Sequence, residues 1–168
     1  MKQNVATGAS FNSGIEVKPF IRTRAVIVMS EYHQLAEKEV ISFADILELR
    51  LVATHSRPLL RQNLERLFRE KNRTANIWYE TTDGLIAGEL AAQGLGVALA
   101  EPFVAISSGA QNLVIRPPAK EIPLEYGFLY PIGKRRSTAA KIFADAVRVT
   151  VQEQLSQLVM PQPAFTFL

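Results

Sequence analysis

Short apolar runs alternate with amphipathic stretches along most of this chain. Residues 25–29, Ala-Val-Ile-Val-Met, offer no polar position and three β-branched side chains, so they read as a strand buried on both faces. Residues 49–54, 77–79, 97–100, 113–116 and 124–130 read as further strands, and 14–20 as a short one closed by Pro19. Between them the period changes. Leu60, Leu64, Leu67 and Phe68 share one stripe of a helix over 58–71, with arginines elsewhere on it. Ser42 can cap a one-turn helix ending at Ile46, and Glu101-Pro102 begins another. Thr81, Thr82 and Asp83 are good N-caps for a helix over 84–93, whose Leu85, Ile86, Leu90 and Ala91 can be buried; Gly94 ends it as a left-handed cap. A last helix, capped by Ser137, runs to residue 154 with Ala140, Ile142, Phe143, Ala146, Val147 and Val149 turned inward. Strand and helix alternate throughout. The pattern predicts an α/β fold with a mostly parallel, Rossmann-like sheet.

Length and composition narrow the classes. At 168 residues the chain can bury one sizeable core, or one complete lobe and part of another. It is 48% hydrophobic and 21% charged, as a soluble globular protein is. The net charge is only +3, so the pI of 9.3 overstates its basicity. The absence of cysteine excludes disulfides, thiolate metal sites and thiol catalysis, and suits a reducing compartment. No apolar run has signal-peptide or membrane-span length, and the expected address is the cytoplasm. The tail over 155–168 is apolar, with two prolines.

The order of the motifs goes further than the pattern. His33-Gln34-Leu35-Ala36 resembles a His-Pro-Leu-Ala turn, with Gln34 departing from the proline, and residues 40–46 resemble a Val-Ser-Leu-Ala-Asp-Leu segment. Residues 89–102, with Gly94-Leu95-Gly96 between helix and buried strand, are the strongest match, and 128–140 resemble a return strand, basic turn and final helix. Together these resemble the effector-binding domain of LysR-type transcriptional regulators over nearly all of the chain.

That resemblance implies two lobes of the type 2 periplasmic-binding-protein kind, joined by two crossings, with a small-molecule effector between them. It implies a first crossing over 1–9, a second lobe over 10–125, a return strand and C-terminal helix over 126–154, and a tail. Nothing in the sequence resembles the winged helix-turn-helix of such regulators, so DNA would be reached only through a segment absent here. The resemblance further implies a homo-oligomer, with the 58–71 helix at a subunit interface. Without the first lobe, the last helix would fold back on its own lobe, dock on a second chain or stay mobile.

Candidate ligand contacts follow from the rule that open α/β sheets bind outside the C-terminal ends of their strands, against helix N-termini that favour anions. Thr54, His55, Ser56 and Arg57 leave one such strand. Their hydroxyls and guanidinium suit a carboxylate or amino acid, and the family places an effector-contacting Thr or Ser on this loop. Simple capping by Ser56 is the plainer alternative. Thr81 and Thr82 form a second loop of this kind, though one residue there must cap a helix. Glu101 could meet an amine, pair with Arg57 or face water. Phe103 could line the cleft or fill the core. His33 reads as a surface histidine, and Thr7–Ser10 as either a hinge or a frayed end.

Between residues 57 and 73 stand six basic and two acidic side chains, which read as a solvated or interface face rather than a DNA-contacting one. No cofactor is implied. No nucleophile–base pair, metal-ligand spacing or phosphate loop supports an enzyme. The alternative to a regulator is a stand-alone solute-binding protein, which would need an export signal.

Overall fold

The structure is a computed structural model that describes residues 14–55, 58–156 and 165–168. Its elements run β1 (Ile15–Arg24), β2 (Val26–Ser30), α1 (Phe43–Ile46), β3 (Leu51–Thr54) and α2 (Pro58–Arg69). There follow β4 (Ile77–Thr81), α3 (Gly84–Ala92), β5 (Val97–Ala100), α4 (Pro102–Ser107), β6 (Leu113–Arg116), β7 (Pro123–Pro131), α5 (Thr138–Ser156) and β8 (Phe165–Phe167). They form a five-stranded sheet, ordered β4-β3-β5-β2-β6, and a three-stranded sheet, ordered β7-β1-β8.

The α/β class holds, but the mostly parallel sheet is corrected. In the larger sheet β3 is parallel to β4 and β5, whereas β2 is antiparallel to both β5 and β6. The smaller sheet is antiparallel throughout. Every residue of β2 is buried, which is what an apolar run signals, and burial says nothing of direction. Direction follows from the entry point. One residue, Ala25, separates β1 from β2, and Val26 enters opposite Ala100, the last residue of β5. A strand entering at that end must run against its neighbour.

β1 also runs past the end expected for it. Pro19 does not close the strand; the register shifts between Pro19 and Ile21, and pairing with β7 continues to Arg24. A bulge is where a strand accommodates a residue with no N–H to donate. Opposite it, a Cβ on Gly127 would stand 3.0 Å from the Lys18 carbonyl oxygen, so the close approach suits glycine.

Alternating side chains of the larger sheet feed two layers. Ile27, Met29, Leu51 and Val97 pack with Ile46 of α1 and Leu64 and Phe68 of α2. Val26, Val28, Val52, Ala98 and Ala100 pack with Ala87 and Ala91 of α3 and Ala105 of α4. The predicted α2 stripe is buried at Leu60, Leu64, Leu67 and Phe68. Two of its arginines are held by acids: Arg61 by Glu65 and Glu80, both at 2.5 Å, and Arg66 by Glu70 at 2.8 Å. Asn72, in the left-handed region at φ 53°, turns the chain out of the helix.

Two apolar stripes are corrected. In α3, Leu85 and Ile86 are exposed; the buried residues are Ala87, Gly88, Ala91 and Ala92. Small side chains let that helix lie close on the sheet, and a Cβ on Gly84 would already stand 3.0 Å from Val104 of α4. In α5, Ile142, Phe143 and Val149 are exposed at 64%, 65% and 56%. The helix rests instead on Ala144, Val147, Val151 and Leu155, the last three against Phe20 and Ile21 of β1. Those four recur at helical spacing on one side, leaving the bulkier residues on the other.

Ser42 caps α1 and Gly94 ends α3 as expected, and the structure adds a partner to each. Ser42 and Asp45 form a reciprocal cap on α1: the Asp45 N–H donates to Ser42 Oγ at 3.3 Å, and the Ser42 N–H donates to Asp45 Oδ2 at 2.8 Å. Lys38 and then Ser42 hold the Asp45 carboxyl down at about 2. Gly94 takes φ +75° after α3. Gly96 then passes so near Arg50 that a Cβ would stand 2.7 Å from its carbonyl oxygen, beside the hydrogen bond from Val97 N–H to that oxygen at 2.9 Å.

Two outcomes follow. Gly96→Ala lowers stability by about 1–3 kcal/mol in urea unfolding, because backbone must move, whereas Gly14→Ala, with open space around its Cβ, leaves the midpoint unchanged. Asp45 has a folded pKa below its ordinary 3.8, so its stabilisation is complete above that value and fades as pH falls toward about 2. Asp45→Asn should therefore flatten the loss of thermal stability between those two pH values.

Candidate functional site

β3, β4 and β5 end at one rim of the larger sheet. In the parallel register Thr54 stands opposite Thr81, and the His55 N–H donates to the Thr81 carbonyl at 3.1 Å. On the other side of β3, Leu51 pairs with Val97, and β5 ends at Ala100, one residue before Glu101. The loops leaving all three strands therefore lie together, where α3 and α4 begin.

The β4–α3 loop divides its polar groups among distinct tasks. Thr81 Oγ1 accepts from the Asp83 N–H at 3.2 Å, shaping the turn, and Asp83 Oδ1 accepts from the Leu85 N–H at 2.7 Å, capping α3. Thr82 stands exposed between them. At α4, Glu101 is the N-cap residue but makes no side-chain capping bond.

An open cleft of about 500 Å3 sits here, a volume typical of small-molecule sites. Thr82, Asp83 and Leu85 form one side of it, Glu101, Phe103 and Ser107 another, and Tyr126 of β7 a third. Phe103 meets the Tyr126 ring edge to face, with centroids 4.9 Å apart. Because Tyr126 belongs to the smaller sheet, the cleft lies where the two sheets meet. The two crossings between sheets are tied nearby: the Ala25 N–H donates to the Ile122 carbonyl at 2.9 Å, and both residues are buried. Among the described residues the charged side chains lining the cleft, Asp83 and Glu101, are both acidic.

Of the residues singled out from sequence, Thr82, Glu101 and Phe103 line this cleft. Thr54, buried, and His55, exposed, stand on the same rim beside Thr81 without lining it. Ser56, Arg57 and the segment 7–10 lie outside the described residues. His33 is a half-exposed turn residue whose Nδ1 accepts from the Leu35 N–H at 3.2 Å, and burial lowers its pKa. Among the described residues no three His, Asp or Glu side chains gather to hold a metal ion. Sequence reasoning missed Tyr126, Leu85 and Ser107. The alternation of Tyr126, Phe128 and Tyr130 along β7 was a signal for the first; Leu85 was assigned to the core, and nothing marked Ser107.

The family described as LysR substrate binding domain matches residues 5–152. The chain belongs to that family. It is 21% identical over 146 residues to the transcriptional activator protein LysR of Escherichia coli (strain K12), covering 87% of this chain and 47% of that protein. A LysR family regulator from Pseudomonas aeruginosa superposes with a TM-score of 0.71 at 19% identity, covering 86% of this chain and 52% of that one. The CcmR regulatory domain of Synechocystis PCC6803, solved in complex with 2-PG, gives 0.64 at 18% identity, covering 81% and 66%. The chain thus spans about half the length of the first two relatives.

Within this LysR-type domain the Gly-Leu-Gly corner has a physical reason: a left-handed helix end at Gly94, then a backbone contact at Gly96 that leaves no room for a side chain. The family is one of binding domains and is not enzymatic. No helix among the described residues is long and apolar enough to cross a membrane.

Asp83→Ala, which removes the cap from α3 at the cleft edge, should cost about 1 kcal/mol in chemical unfolding. Asp83→Asn or Asp83→Ser, each keeping an acceptor, should recover most of it.

Proposed function

We propose that this chain is the effector-sensing portion of a LysR-type transcriptional regulator, and that its effector is a small amino acid held at the rim of the larger sheet. The observation that carries the ligand class is the acidity of this part of the cleft, whose charged side chains among the described residues are Glu101 and Asp83. Asp83 caps α3 at the edge of the cleft and Glu101 lines its α4 side; we assign the ammonium to Glu101 for its place at the C-terminal end of β5. A carboxylate at the other end of the ligand meets the 54–57 loop, where Thr54, His55, Ser56 and the Arg57 guanidinium supply donors. Thr82 and Thr81 contribute hydroxyls at the mouth. Phe103, braced by Tyr126, is the apolar floor.

Binding at the joint between two sheets favours one relative arrangement of them, and the ligand shifts that equilibrium by the difference in its affinity for each. In a full regulator this reaches DNA through an attached helix-turn-helix. The reading includes a homo-oligomer working in the cytoplasm. It is supported by the family and by the cleft volume.

Calorimetry with the twenty amino acids, each set beside the same acid lacking its amine, tests this. One or a few amino acids should bind saturably, and Glu101→Gln and Phe103→Ala should each weaken them by about tenfold or more. Equal affinity for the acids without an amine, or indifference to both substitutions, would overturn the ligand assignment.

A further inference from the structure

A second cavity lies on the opposite side of the larger sheet from α3 and α4, and no residue lines both it and the cleft. Its volume is about 270 Å3, and Ile27, Leu51, Ile46, Leu64, Leu67 and Ile122 wall it. These belong to the chain's own core, each 8% exposed or less. Native cores are packed as densely as organic crystals, with few voids larger than a water molecule. This one is far larger than a single water needs, and its walls are mostly apolar, with Ser42 and the charged residues of its mouth the exceptions. A well-packed core with a hole of this size and polarity is shaped for an apolar guest.

The mouth adds the second observation. Glu70, Lys71 and Lys120, all exposed, stand where the cavity reaches the surface. Glu70 is already held from two sides, by Lys120 at 2.7 Å and Arg66 at 2.8 Å. Lys71 has no ion pair among the described residues. The rim therefore presents a cation with no anion to answer it, beside an apolar interior.

We propose that this cavity is a second ligand site, separate from the cleft, for an aromatic carboxylate whose ring body fills the space between α1, α2 and the sheet while its carboxylate pairs with Lys71. Size sets the body. A cavity of roughly 150 Å3 accepts a benzene ring, so this one has room for two fused rings. Neutral guests leave the Lys71 ammonium unanswered, and small inorganic anions leave the apolar walls bare; an aromatic acid meets both. The site also has a mechanical position. Its roof, Pro118 to Lys120, leads through Ile122 into β7, and the Ile122 carbonyl receives the Ala25 N–H at the crossing between sheets. A guest beneath that roof stiffens the segment on which the two sheets are joined.

The probe is 2-naphthoate, with 2-naphthamide as its uncharged counterpart, titrated into the full chain and followed by methyl NMR and calorimetry. The proposal expects saturable binding with shifts concentrated on the methyls of Ile46, Leu64, Leu67 and Ile122. Lys71→Gln, a surface change that leaves the fold intact, should weaken 2-naphthoate by about fivefold to tenfold and leave 2-naphthamide unchanged. Phe103→Ala, in the cleft, should alter neither. The proposal is overturned if those methyls do not move at millimolar probe, if the shifts fall instead on Leu85 and Val104, or if Lys71→Gln binds the acid as tightly as the parent chain.

Discussion

The parallel pairing of β3 with β4 is the constraint on which the functional geometry rests. It brings Thr54 opposite Thr81 and ties His55 to the Thr81 carbonyl, so two loops distant in sequence share one rim. The register is not free to slide. Leu51 belongs to the layer under α1 and α2, and Val52 to the layer under α3 and α4. A slip by one residue would exchange those faces and bury the wrong side chains. An irregularity between Leu51 and Val52 absorbs one extra residue of β4, Trp78, whose ring lies in the open beneath the Arg50 guanidinium at 4.0 Å. Past that point the two strands march in step to the rim.

Much of this was legible in the sequence because it depends on short-range chemistry. Strands 97–100 and 113–116 appear with the predicted bounds, since apolar runs flanked by glycine, proline and polar residues admit few other readings. Ser42 as the cap of α1 and Gly94 as the end of α3 were equally plain, though the reciprocal role of Asp45 was not read. The family followed from motif order, and its match covers residues 5–152. What could not be read was direction and depth. A doubly buried strand looks alike whichever way it runs, so the antiparallel β2 gave no sign in its residues. In α3 nearly every position is apolar, and periodicity cannot rank faces when there is no polar face to compare. The sheet selected the alanines and glycines because close approach buries more than bulky side chains held at a distance.

The candidate site was legible to a lesser extent. Loops at strand ends are identifiable from pattern, and Thr82, Glu101 and Phe103, singled out in that way, line the cleft. Tyr126 was not singled out, because its part in the cleft depends on how the smaller sheet abuts the larger, at a junction where Ala25 and Ile122 are tied and Leu60, Leu67 and Leu124 pack, with no motif to announce it. The α5 stripe failed for a related reason. An amphipathic pattern announces that a face wants cover without saying which neighbour supplies it, and here the smaller side chains meet β1 while Ile142 and Phe143 face outward.

The most direct test is amide hydrogen exchange at His55, followed by NMR on the unliganded chain. If β3 and β4 carry their pairing to the rim, the His55 N–H, held by Thr81, exchanges slowly, alongside the interior amides of β3, although its side chain is exposed. Exchange at the rate of an open loop would contradict the account, because the 54–57 and 81–83 segments would then have no fixed relation from which to build a site.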